Sequence, residues 1–274
     1  MSMEVGEIGR GEVAFERLTL TIEDGVAGLD FNDAVRGNPI DAQFCAELSE
    51  AAVLLSSNPA VRAVLMTASG DAFGYGGDIK SFLDNLPGLS ADIKRWTTDF
   101  HSAVARLQRM DPPIVVAVHG VCAGGMSALV AGADIVIAAQ TSRFAAAYAG
   151  IGFSCDGGSS IMYARRMGAA RARRFLLLNE TLDAETALDC GLVDEVHFDT
   201  DYRTRAEQVA QRLAAGPTKA FGEMRRLFLS VFDQPLEAQL EAEAQALSRC
   251  AATRDAQGAL SAFGDRRTAT FEGA

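Results

Sequence analysis

Residues 114–132 read IVVAVHGVCAGGMSALVAG. The run Ile114–Val118 is apolar at every position, as a strand buried on both faces would be. Glycines follow at once, and then a helical pattern. The stretch Gly120-x-x-x-x-Gly125-Met126-Ser127 is one residue away from a phosphate-binding P-loop, with Met126 where that motif needs lysine. Glycine lets a backbone come close to a ligand, and a helix N-terminus offers free N–H groups and a partial positive charge. A permanent phosphate charge usually brings a lysine or arginine as well. Val121, Cys122, Ala123 and Met126 supply none. A site built from backbone N–H groups alone suits charge that appears transiently, as on a carbonyl or thioester oxygen becoming an enolate. Close packing of the helix on the sheet would use the same glycines, so this turn by itself leaves both readings open.

A related pattern lies upstream. The strand Val61–Thr67 runs into Ser69-Gly-Asp-Ala-Phe-Gly-Tyr-Gly-Gly77 and then a short helix, so strand, glycine turn, helix occurs twice. Outward from these units, Glu12–Ile22 and Val26–Phe31 read as a hairpin turned at Asp24-Gly25. Helical patterns cover Gln43–Ser57, Asp92–Met110, Gly157–Gly168, Ala170–Leu178 and Asp183–Cys190, the last with Asp183 as N-cap and Gly191 past its end. Strands are expected at Asp134–Ala139 and Leu192–His197, with a loop over Phe144–Asp156. From about Asp201 only helical pattern remains, broken at Gly216-Pro217 and near Asp233–Pro235. We therefore expect an α/β core over residues 1–200 and a helical region over 201–274 that packs on the core or on another subunit.

Bulk properties narrow the function. The 274-residue chain is 49% hydrophobic and 22% charged, ample for a large core. Its net charge of −11 repels a phosphate backbone, which argues against nucleic acid as partner. The five cysteines are far apart, with no CxxC pair and no cluster with the three histidines, so neither zinc nor a disulfide framework is suggested. The opening MSMEVGEIGRGEV has acids and no apolar core, so it does not read as a signal peptide. Ile114–Ala133 is uncharged for long enough to span a bilayer, but His119 and the break at Gly120 favour a strand, a turn and a buried helix. A reducing cytoplasmic setting with no membrane contact fits best.

The two turns also resemble a known family. Ala72-Phe-Gly-Tyr-Gly-Gly-Asp-Ile-Lys80 is similar to the AFxxGxDLK stretch of the crotonase, or enoyl-CoA hydratase/isomerase, superfamily. Pro113–Met126 is similar to its second signature, PVIAAVxGxAxGGG, departing at Met126 where a third glycine is common. Arg36-Gly-Asn-Pro-Ile-Asp41 resembles the early RxNxxD element, Thr181–Val193 the later xxxAxEAxxxGLV, and Asp265–Gly273 the terminal KRxPxFxG. The match covers nearly the whole chain, in order. It implies a spiral of ββα units, a helical C-terminal trimerisation region giving a homotrimer or a hexamer, and a coenzyme A thioester as substrate with no permanently bound cofactor. By position, the oxyanion-hole N–H groups fall on Gly77 and Gly125. Asp78, Ile79 and Lys80 match positions lining the CoA end, and Tyr75 and Tyr148 stand as pocket residues.

The hydratases of this family place and protonate water with two glutamates. Those positions are Ala128 and Tyr148 here, which argues against a two-glutamate hydratase. One carboxylate remains well placed, Asp156 in Ile151-Gly-Phe-Ser-Cys-Asp-Gly-Gly158. It matches the aspartate of the phenylacetyl-CoA-pathway isomerases and of the chlorobenzoyl-CoA dehalogenases. The bland reading of Asp156 is a turn or cap residue, since Asp-Gly-Gly is turn chemistry. With the two family turns in place, we read it as the acid/base of a double-bond isomerisation. The alternatives are a nucleophile in a dehalogenase or hydrolase, or an atypical hydratase. His101 falls where the dehalogenases carry a histidine base, but the superfamily often has a histidine there without a role. His119 reads as structural. Phe73, Phe82, Trp96 and Met126 are candidates either for the acyl pocket or for the core.

Overall fold

The computed structural model describes residues 12–274, so the acidic opening segment lies outside it. In chain order the strands are β1 (Glu12–Ala14), β2 (Leu18–Glu23), β3 (Val26–Phe31), β4 (Pro39–Ile40), β5 (Ala63–Ala68), β6 (Gly76–Gly77), β7 (Ile114–Val118), β8 (Val121–Ala123), β9 (Ile135–Ala139), β10 (Arg143–Ala145), β11 (Thr181–Asp183) and β12 (Glu195–His197). The helices are α1 (Ala42–Ser57), α2 (Ile79–Asp84), α3 (Leu89–Arg109), α4 (Gly124–Ala131), α5 (Ser159–Met167), α6 (Ala169–Leu177), α7 (Ala184–Asp189), α8 (Tyr202–Ala214), α9 (Thr218–Ser230), α10 (Leu236–Ala251) and α11 (Arg254–Gly264).

The strand–strand–helix unit occurs four times: β3–β4–α1, β5–β6–α2/α3, β7–β8–α4 and β9–β10–α5/α6. The first strand of each unit joins one seven-stranded sheet, ordered β1-β2-β3-β5-β7-β9-β12 and parallel from β3 onward. The second strands pair separately, as β4-β6 and as β11-β10-β8. Each unit advances by one strand, and the chain winds as a spiral.

Burial on both faces explains the apolar strands. Met66, Val116 and Val136 lie in register across the sheet and face the main core with α1, α3 and α4. Leu65, Val115, Ala117 and Ile137 face the other way and meet Ala206, Val209 and Ala210 of α8. The first helix of the C-terminal region thus covers the back of the sheet. The hairpin turns at Asp24 and Gly25, both at positive φ (48° and 82°), as a tight primed turn requires.

Four local expectations need correction. Glu12–Ile22 is two strands, because the Glu47 carboxylate takes the amides of Glu16 and Arg17 at 2.9 and 2.7 Å and bends the chain. The strand at Leu192–His197 starts at Glu195, since the Leu192 and Val193 amides close the end of α7 on the Ala187 carbonyl. The loop after Phe144 overlaps β10, which sits between β8 and β11. The short strand β8 separates Gly120 from the helix start. Among the described residues, no helix is long and apolar enough to cross a membrane.

Arg225, the more buried arginine of α9, ties the last helices to the core. It donates to the carbonyls of Leu107, Met110 and Pro112 at the end of α3, and pairs with Asp134 at 2.8 Å. Further along, Asp255 accepts the amides of Glu272 and Gly273 at 2.7 and 2.8 Å, which folds the final residues back onto α11.

Candidate active site

The two glycine turns meet through their backbones. Gly74 donates to the Val121 carbonyl at 3.1 Å, and Ala123 donates to the Gly74 carbonyl at 2.9 Å. A Cβ at Gly76 would stand 2.9 Å from the Ala123 oxygen and 3.3 Å from Gly124 Cα, so nothing larger than glycine fits there. Gly76 also has φ +85°, a conformation side chains disfavour. This contact brings Gly77 and Gly125 to one cavity. Gly125 is the second residue of α4, so its N–H is among the first-turn donors without an intrahelical acceptor. No side chain caps that helix.

The Arg-x-Asn-x-x-Asp element fixes the first turn from outside. Asn38 donates to the carbonyls of Ser69 and Ala72 at 2.9 and 3.0 Å. Arg36 bridges Asp33, Asp41 and Asp78 at 2.5, 2.7 and 3.2 Å. Burial alone would raise the Asp41 carboxyl, but the Phe44 N–H and the Arg36 guanidinium together hold it below its ordinary value. Ile40, between these motif residues, accepts the Asp78 amide and reaches the cavity, its Cδ1 lying 2.9 Å from where a Gly125 Cβ would be.

Asp156 stands opposite. A Gly125 Cβ would lie 3.8 Å from its Oδ1. The carboxylate does not cap α5, whose cap position is Gly158 with no side-chain bond. Asp156 Oδ1 accepts from the Tyr148 hydroxyl at 3.3 Å, and Tyr148 also meets Ser159 Oγ at 3.0 Å. Burial first, and the nearby Asp156 charge second, raise the Tyr148 phenol well above its ordinary value, so it stays a neutral donor. His101 Nε2 lies 3.6 Å from Asp156 Oδ2 and accepts the Gly157 N–H at 3.3 Å. The Asp156 side chain keeps 39% exposure, open to the cavity rather than sealed in the core.

The cavity brings together Tyr75, Gly77, Ile79, Gly125, Tyr148 and Asp156. It leaves out two expected substrate residues. Asp78 turns its carboxylate to the Lys80 amide and Ser81 hydroxyl, capping α2, and Lys80 pairs with Asp84 on the surface at 3.1 Å. Phe82 and Trp96 line the cavity, whereas Phe73 and Met126 are fully buried core. Met126 fills the space under Gly74, which accounts for methionine at that position. His119 binds the Gly70 carbonyl at 2.8 Å, a structural role. Sequence reading missed Cys45 and Phe100, whose apolar helix faces look like ordinary core. Burial, reinforced by the charges of Asp41, Asp99 and Asp156, pushes the Cys45 thiol up to about 12, so it stays neutral.

A larger groove of about 430 Å³ runs between α5 and α9, but its Asp134 and Arg225 are already paired with each other. Of these two, the smaller sets the Asp156 carboxylate against a helix-start glycine, Gly125. That arrangement can take up a proton beside a carbonyl whose oxygen rests on backbone amides.

The enoyl-CoA hydratase/isomerase family matches residues 21–274 of this chain. The chain belongs to that family. Members with different chemistry resemble it to a similar degree. It is 30% identical to the 1,2-epoxyphenylacetyl-CoA isomerase of Escherichia coli (strain K12), over 92% of this chain and 97% of that protein. It is 29% identical to 4-chlorobenzoyl coenzyme A dehalogenase-2 of an Arthrobacter species, over 81% of each. The crystal structure of an enoyl-CoA hydratase from Polaromonas sp. JS666 superposes with a TM-score of 0.87 at 26% identity, covering 93% of this chain and 99% of that one. The spiral is therefore the crotonase fold of this family of acyl-CoA enzymes.

Proposed function

We propose that the protein moves the double bond of an unsaturated acyl-CoA, with the coenzyme A thioester as substrate and no permanently bound cofactor. Asp156 takes a proton from the carbon beside the thioester carbonyl. The electron pair moves onto the carbonyl oxygen, which the amides of Gly77 and Gly125 hold as an oxyanion. The carbonyl re-forms, the double bond shifts by one carbon, and Asp156 returns the proton at the far end of the three-carbon unit. Tyr148 positions the carboxylate, Tyr75 and Ile79 flank the thioester, and Asp78 and Lys80 stand at the CoA end. One observation carries this reading: Asp156 is the only carboxylate among the described residues lining the cavity. A hydratase of the two-glutamate kind needs a second one.

Proton exchange tests it. In deuterated water, wild type should introduce deuterium beside the carbonyl of a suitable CoA thioester. Asp156→Asn should lose about 10²–10⁴-fold of that rate, the usual weight of a general acid/base. Absence of exchange with every thioester that binds would overturn the isomerase.

A second reading makes Asp156 a nucleophile, in a dehalogenase or hydrolase. His101 at 3.6 Å favours it, because a base there can activate water to cleave the ester that Asp156 forms on displacing a halide, or the mixed anhydride it forms on displacing the CoA thiolate. An atypical hydratase would instead activate water with Asp156 directly. Over repeated turnovers oxygen-18 from labelled water would enter the product in either case, by way of the Asp156 carboxylate in the dehalogenase, and in no step of the isomerisation.

We further infer a homotrimer or a dimer of trimers in the cytoplasm. Support comes from the C-terminal helices and the segments joining them, where Phe228, Phe232 and Leu247 are 70%, 78% and 73% exposed. Sedimentation should show a multiple of three chains, and a stable monomer would contradict this.

A further inference from the structure

The cavity that holds Gly77, Gly125 and Asp156 is small and its inner wall is aromatic. Its volume is about 170 Å³, close to the ~150 Å³ of an engineered apolar cavity that takes up benzene. Phe82 is central to that wall. Its ring stacks on Trp96, with centroids 5.9 Å apart and planes within 17°, and leans on Phe153 at 5.6 Å and 32°. Phe82 also covers the first oxyanion glycine, since a Cβ at Gly77 would stand 2.6 Å from its Cζ. The aromatic wall therefore begins at the carbonyl itself, not several bonds along the acyl group. All three rings are only half-buried, so each keeps surface free to meet a ligand.

Charge adds a second restriction. Among the described residues lining the cavity there is no lysine, arginine or histidine. An acyl group with its own carboxylate would lose hydration there without gaining a cation. A linear chain of ten carbons fails differently: it outruns the volume and must pass the rim into water.

We propose that this site takes a compact, uncharged acyl group bearing an unsaturated, non-aromatic six-membered ring of cyclohexenyl type, attached within two carbons of the thioester carbonyl, with a benzene ring as its unreactive mimic. Phe82, Trp96 and Phe153 select it, since a flat ring can stack against theirs in the offset or edge geometry that aromatic pairs prefer. The proposal rests on the acyl-CoA reading given above and specifies its substrate class.

Trp96 is the only tryptophan in the sequence, so its fluorescence reports on the wall directly. The intact protein is titrated with phenylacetyl-CoA, decanoyl-CoA and succinyl-CoA, none of which carries a double bond to move. Phenylacetyl-CoA should bind about tenfold tighter than decanoyl-CoA and perturb Trp96 most, with succinyl-CoA the weakest. Phe82→Ala should cost phenylacetyl-CoA about tenfold in affinity and bring decanoyl-CoA level with it. Phe82 lies in a helix with no buried residue, so the fold should tolerate this change. Phe153→Leu should shift the preference in the same direction. Equal or tighter binding of decanoyl-CoA to wild type overturns the proposal, as does failure of all three thioesters to bind. The two readings separate cleanly. Preference for decanoyl-CoA with Asp156-dependent exchange intact removes the ring and keeps the isomerase. Preference for the ring with no exchange removes the isomerase and keeps the ring.

Discussion

The turn over residues 70–77 is held by side chains and ions, whereas the turn over residues 120–125 is held by backbone and apolar packing. Asn38, Arg36 and three carboxylates brace the first, and Tyr75 at its tip is 54% exposed. The second has Cys122 and Met126 fully buried beside it and no charged residue within it. Both deliver a glycine to one cavity. Their difference teaches that a single site can combine a face tunable by side-chain chemistry with a face fixed by the sheet. The second turn should fail by not folding, and the first by shifting.

The largest effect should come from Gly120→Ala. The new methyl would be driven into the Asp71 carbonyl, and Gly120 has φ +55°. Neither atom can yield without moving both turns. We expect a loss of about 3 kcal/mol or more, read as a lower denaturation midpoint or as insoluble protein. Near-native stability would show that the second turn is more pliable than described.

Gly125→Ala sharpens the contrast within the same turn. Its methyl would meet only the movable tip of Ile40, at 2.9 Å, and would lie 3.8 Å from Asp156 Oδ1. Alanine favours a helix over glycine by about 1 kcal/mol, so stability should hold or rise. Thioester exchange should fall about 10²-fold as the methyl displaces the reacting carbonyl. Thermal melting and exchange rates on one sample check both halves.

The smallest effect is the dependence of the first turn on pH. Asp41 is held below its ordinary value of 3.8, so its contribution is present above that pH and is lost as pH falls through the depressed folded value. Residues 33–41 should therefore gain amide exchange below pH 3.8 before residues 118–126 do. Simultaneous loosening would mean that the two turns share one support.

Much of this was legible in the sequence. The strands β5, β7 and β9 announce themselves as apolar runs because both their faces are buried. Asp183 and Gly191 mark the ends of α7 by cap chemistry. The strands β4, β6, β8, β10 and β11 do not show, because two or three residues carry no periodicity and are held by partners far along the chain. Gly77, Gly125 and Asp156 meet at one cavity, but in the sequence only the family resemblance singles them out, since each turn alone also reads as close packing or cap chemistry. Cys45 and Phe100 are not legible, since a cavity-facing residue on a helix and a core residue obey the same pattern. The nearness of His101 to Asp156 does not show for the same reason: a single histidine on a helix says nothing of the loop that folds over it.

The helix α3 spans 21 residues, a rod of about 32 Å at 1.5 Å per residue. Trp96, Phe100 and His101 stand on the stretch beside the cavity, and Arg225 grips the carbonyls at its far end. None of the residues lining the cavity comes from α8–α11. The C-terminal region nonetheless holds the far end of the helix that forms one wall of the site. Between that hold and the wall the helix is seated in the core by Phe100, Ala103, Val104 and Leu107, so loss of the Arg225 contacts should loosen its last turn and leave the wall in place.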